Sequence, residues 1–155
     1  MLSSAYMTTR QLDIWDMNRR GDPRSKIGER FGFTRQAVYD ALKISIDKVD
    51  TALRQTADSS SIEILRVDPK NGILLGQMPI DSSRVIITFS RKYGIQTWHF
   101  EEPDCADCRY TKRCTERLID EAKERDVEIS GEQRTLPPSK LAHIIFSKLL
   151  PELSA

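Results

Sequence analysis

A chain of 155 residues, 39% apolar and 30% charged, has material for one ordinary domain or two small ones with a modest core. No apolar run approaches the roughly 20 residues that span a bilayer, and Met1 to Arg10 lacks the basic start and apolar block of a signal peptide, so a cytoplasmic location is expected. A net charge of +1 argues against a general nucleic-acid coat, and three cysteines within ten residues, with none elsewhere, make a poor disulfide framework and point to metal or redox chemistry.

Thr8 begins a capping box with Gln11, and Leu12, Trp15 and Met17 fall on or near one face of a first helix that Gly21 stops. Gly21, Asp22 and Pro23 make the connection, proline being suited to the first turn of the next helix. From Pro23 to Lys43 the run PRSKIGERFGFTRQAVYDALK predicts a helix, a tight turn and a second helix. Ile27 and Phe31 lie four apart on one face, and Gly28 beside them lets a neighbouring helix approach closely. Gly32 ends that helix in the left-handed conformation, Phe33 plugs the corner, and Thr34 caps the second helix. Val38, Ala41 and Leu42 return that helix to the same core.

The outer face of the second helix carries Arg35, Gln36, Tyr39 and Lys43. Arginine can grip guanine through two acceptors, glutamine can do the same for adenine, and lysine mostly anchors phosphate. Arg24, Lys26 and Thr34 complete the expected DNA-binding set. Between Arg19 and Lys43 seven basic residues stand against three acids, a local +4 in a chain whose total is +1. A helical hairpin that only packs is the plain alternative.

This pattern, with Gly28, Gly32 and Val38 at their spacings, resembles the helix-turn-helix of DNA-binding proteins. With the supporting first helix it is similar to sigma factor region four and to archaeal Tfx-type regulators, over about the first third of the chain. The resemblance implies a second helix lying in the major groove of double-stranded DNA.

Beyond that helix Leu42, Ile46, Val49 and Leu53 follow at spacings of four, three and four, the seam of a short coiled coil that would make a homodimer, or a stripe that packs on the rest of the chain. ADSSS, from Ala57 to Ser61, is a small polar linker, so residues 1–58 are expected to form the DNA-binding domain with its extended dimerisation helix and residues 62–155 an α+β sensor domain. There IEILRV, DPKNG and ILLGQM predict a hairpin, SRVIITFS a strand covered on both faces, and IQTWHFE a fourth strand. The fold expected is thus α+β: three N-terminal helices, a small antiparallel sheet, then one helix in TERLIDEAKERDVEI and a last one from Pro138 with Leu141, Ile144, Ile145 and Leu149.

Cys105, Cys108 and Cys114 form C-x2-C-x5-C, a spacing from which two thiols can turn onto one metal and a third can close from a helix start. The cluster, with Tyr110 and the basic run Arg109, Lys112 and Arg113, resembles the iron-sulfur staple of AddB-type and CRISPR-associated nucleases, which add a fourth cysteine that this chain lacks. The resemblance implies an iron-sulfur cluster, and the missing fourth cysteine would leave one corner of it to a weaker ligand or to solvent. Zinc is the rival cofactor, with His99, His143, Asp104 or Asp107 as candidate fourth ligands, and free thiols the plain alternative. Glu101, Glu102 and Asp104 are a second, weaker cation candidate.

No glycine-rich phosphate loop, Ser-His-Asp order or HExxH motif is present, so an enzyme is not expected. The expected function is a homodimeric, sequence-specific transcription regulator that senses redox or iron-sulfur status. The alternatives are a regulator with structural zinc and a separate small-molecule pocket, or a redox or electron-transfer protein that does not bind DNA.

Overall fold

The computed structural model describes residues 7–100, 105 and 107–154. They fall into two compact units, one running up to Trp98 and the other starting at His99.

The first unit opens with three helices, α1 (Thr9–Arg19), α2 (Arg24–Phe31) and α3 (Arg35–Ser59). The Thr8 hydroxyl accepts from the Gln11 amide and the Gln11 side chain accepts from the Thr8 amide, which closes the expected capping box. At the far end of α2, Gly32 takes φ of +66° and its N–H donates to the Gly28 carbonyl. The Thr34 hydroxyl accepts from the Ala37 N–H at 3.1 Å and starts α3. Ile27, Val38 and Leu42, all buried, close a small core with Ile14 and Met17 of α1.

Four antiparallel strands follow in the order β1 (Glu63–Asp68), β2 (Ile73–Gln77), β3 (Arg84–Ser90) and β4 (Gly94–His99). Leu74 pairs with Ile87 and Gly76 with Val85, so Leu74, Val85, Ile87 and Phe89 share the face that meets Val49, Leu53 and Ala57 of α3. The partial alternation of β1 has a local cause: the register slips between Ile64 and Arg66, leaving Leu65 as an extra, 42% exposed residue. β3 is buried from Val85 to Ser90, as expected for a strand covered on both faces.

Two expectations differ from this arrangement. The polar run after Ala57 is not a domain boundary, because α3 continues to Ser59, Ala57 is fully buried and the sheet packs on α3. Nor do Leu42, Val49 and Leu53 form a free coiled-coil seam. All three are at most 4% exposed inside the chain's own cores, and Ile46 packs against one of them, so the extended helix uses its apolar stripe on α1 and the sheet. Each such aliphatic side chain contributes about 1.5–3 kcal/mol by leaving water.

Trp15 fastens α1 to the sheet. It is fully buried, meets Phe89 edge-on at 5.1 Å between centroids, and its indole N–H donates to the Pro69 carbonyl at 3.0 Å. Gly72, at φ of +66°, ends the same β1–β2 turn, which the Asp68 carboxylate closes by accepting from the amide and side chain of Asn71.

The second unit holds the cysteine segment and the helices α4 (Thr111–Glu124) and α5 (Pro138–Leu149), which pack on each other. Leu118, Ala122, Leu141, Ile145 and Phe146 are buried, as is an ion pair between Glu121 and Arg125 one turn apart on α4. Ile144 and Leu149, expected to be inward with Leu141 and Ile145, are only part-buried. Among the described residues no helix is long and apolar enough to cross a membrane.

Candidate nucleic-acid interface

The turn between α2 and α3 is three residues long and tightly filled. A Cβ on Gly28 would lie 3.0 Å from the Phe33 carbonyl oxygen and 3.4 Å from Val38 Cγ2, so a side chain there would push the two helices apart. Phe33 packs on Phe31 at 6.0 Å between rings, with the Arg10 guanidinium 5.7 Å from its centroid. The turn thereby sets the pose of the first two turns of α3.

From that helix Arg35, Gln36, Tyr39, Asp40 and Lys43 all project into solvent, Tyr39 with 50% of its surface open. Gln36 Nε2 donates to the Asp40 carboxylate at 3.0 Å, an i,i+4 bond at the surface. Arg24, at the first position of α2, lies 5.7 Å from the Tyr39 ring centroid. Lys26 is held by Asp22 at 3.1 Å, and Thr34 serves as the cap. Arg24, Tyr39 and Lys43 line one cleft, and Arg24 and Arg35 line a second, wider groove between α2 and α3 together with Gly28, Glu29 and Phe33. Lys26 and Thr34 line neither, and their contacts are local.

The thiols sit elsewhere, in the second unit. Cys108 is exposed, and Cys105 and Cys114 are half-buried. The Cys108 N–H donates to the Cys105 carbonyl at 3.4 Å, and the Thr111 hydroxyl donates to the same carbonyl at 2.6 Å, which coils the segment into the start of α4. Burial pushes the Cys114 thiol up from its ordinary range, and the neighbouring thiols of Cys108 and Cys105 push it further; Arg117 and Arg113 offset part of this. The donor chemistry suits zinc or an iron-sulfur cluster, but among the described residues no three side chains of His, Cys, Asp or Glu converge as a metal site.

Comparison with protein-family models, curated proteins and solved structures gives no match.

The expected fourth ligands are placed otherwise. His99 and His143 line a cavity of about 460 Å3 with Phe100, Leu136 and Lys140, and the His143 ring lies 4.9 Å from that of Phe100. Asp107 is exposed, and Glu101, Glu102 and Asp104 lie outside the described residues. Both histidines of the chain thus border one part-apolar cavity, which no spacing in the sequence links.

Proposed function

We propose that this chain is a sequence-specific DNA-binding transcription regulator that reads double-stranded DNA with α3. The observation that carries the reading is the three-residue turn fixed by Gly28, Gly32 and Thr34, which holds a helix whose open face bears Arg35, Gln36, Tyr39 and Lys43. A helix presented in this way fits the major groove end-first; Arg35 and Gln36 supply the base contacts, and Arg24, Tyr39 and Lys43 the backbone ones. The local +4 concentrates the attraction for phosphate on this face.

Binding as a homodimer belongs to the same reading, since one reading helix per chain gains affinity and specificity when two are held about 34 Å apart. Such a dimer uses a surface other than the buried stripe of α3. Selection of bound duplexes from a random-sequence pool tests the reading: it predicts enrichment of one short motif, repeated with dyad symmetry, and an unenriched pool refutes it.

The C-terminal unit is the candidate for the signal. Cys105 and Cys108 lie near enough to Cys114 to help hold its thiol protonated, and three neighbouring thiols are the chemistry of a redox, iron-sulfur or zinc response. Among the described residues they are not a formed ligand set, so metal, iron and sulfide analysis of anaerobically purified protein decides whether the response is thiol chemistry alone. A second reading, an organic effector in the cavity beside Phe100 and His143, is favoured by its volume and by its aromatic and cationic lining.

A further inference from the structure

The cleft against the outer face of α3 is not made by the helices alone. It encloses about 290 Å3 and is lined by Asn18 from the end of α1, Arg24 from α2, Tyr39, Lys43 and Asp47 from α3 with the aliphatic Leu42 and Ile46 beside them, and Lys70 from the β1–β2 turn. Three cations face one carboxylate there, and Asn18 and Tyr39 add neutral donors. That is a surround for a singly charged phosphodiester, and it opens on the face that carries the proposed base contacts.

Lys70 reaches this place because its turn is fastened at several points. Trp15 donates to the carbonyl of the preceding residue, Pro69, at 3.0 Å, while Asp68 and Asn71 close the turn around it. Gly72 brings the backbone so near α1 that a Cβ would lie 2.9 Å from the Trp15 ring. Only the lysine side chain, exposed to solvent, is left to move. Ordering the backbone in advance lowers the entropic cost of the contact to one side chain.

We propose that Lys70 is a DNA-backbone contact outside the two reading helices, and that the cleft it forms with Arg24, Tyr39 and Lys43 seats one phosphodiester of the duplex that α3 reads. The inference rests on the DNA-binding reading and adds to it a clamp: the β1–β2 turn grips the backbone beside the groove that the helix enters. A phosphate contact carries no sequence information, so Lys70 sets affinity and register, and Arg35 and Gln36 set specificity.

The test measures fluorescence anisotropy of two labelled duplexes, one enriched by selection and one of shuffled sequence, as potassium chloride rises from about 50 to about 200 mM. Lys70→Ala is expected to weaken binding to both duplexes alike and to flatten the log-log salt slope by about 0.9 per bound chain, about 1.8 for the dimer, so that wild type loses about 12-fold more affinity than the variant over that range. Lys70→Arg should keep the slope. Lys123→Ala, which removes an equal charge from exposed α4, should leave it unchanged. A wild-type slope in Lys70→Ala, or an equal loss in Lys123→Ala, overturns the inference and leaves α3 as the DNA reader. Wild-type protein that binds neither duplex overturns the DNA-binding reading itself, and the inference with it.

Discussion

Gly72 and Gly94 form a matched pair that measures how firmly the β1–β2 turn is seated on α1. Both have positive φ, +66° and +68°, so alanine at either position meets the same left-handed strain, about 1–2 kcal/mol. Their surroundings differ. Nothing lies within 4 Å of a Cβ on Gly94, whereas one on Gly72 would sit 2.5 Å from the Phe89 carbonyl oxygen and 2.9 Å from Trp15. Neither neighbour yields freely: the Phe89 N–H donates to the Gly72 carbonyl at 2.8 Å, and Trp15 is tied to Pro69. Relieving that overlap by moving backbone costs a further 1–3 kcal/mol or so. Gly72→Ala should therefore melt between about 2 and 12 °C below Gly94→Ala. Tryptophan fluorescence reports the transition directly, since Trp15 and Trp98 both lie in the first unit. Equal melting temperatures for the two variants would refute the close seating of the turn, and with it the fixed position of Lys70.

Other predictions follow from the same packing. Leu53→Ala should cost about 2–5 kcal/mol in urea unfolding and leave the dependence of the midpoint on protein concentration as it is in wild type; a midpoint that rises with concentration in wild type and not in the variant would restore the coiled-coil seam. Thr34→Ala should cost about 1 kcal/mol and Thr34→Ser little, because the hydroxyl is the cap of α3. Iodoacetamide footprinted by mass spectrometry should label exposed Cys108 first and Cys114 last, with Cys114 gaining most as the pH is raised, since its thiol is held protonated. The folded state keeps that proton where the unfolded chain has already lost it, so the second unit should lose stability as pH rises through the alkaline thiol range. Stability that climbs over that range would contradict the shift.

What could be read directly from the residues was mostly short in range. The Thr8–Gln11 capping box, the left-handed Gly32 and the Thr34 cap each depend on neighbours three or four positions away, and all form as expected. The α+β order of elements followed from changes of hydrophobic period. The stripe from Leu42 to Leu53 was ambiguous because the same spacing serves a partner helix or the chain's own sheet, and only the β2 and β3 side chains that meet it decide between them. Leu65 broke the alternation of β1, since a bulge leaves no unique mark in a short apolar run. Lys70 passed for an ordinary turn lysine: its position depends on a Trp15–Pro69 hydrogen bond between residues 54 apart in the chain. For the cysteines, spacing allows a ligand set but does not specify where each thiol points, and the described geometry leaves them near one another without convergence.

The measurement that bears most directly on the central claim is a gel mobility shift of the Arg35→Ala, Gln36→Ala double variant on the selection-enriched duplex and on its shuffled counterpart. Both side chains are exposed on α3, so the variant should fold as wild type does, which circular dichroism checks. The enriched duplex should fall to the affinity of the shuffled one, a loss of at least about 30-fold at about 1–3 kcal/mol for each of the two bidentate contacts per chain, while weak phosphate-driven binding to both remains. Undiminished preference for the enriched duplex in a folded double variant would contradict it.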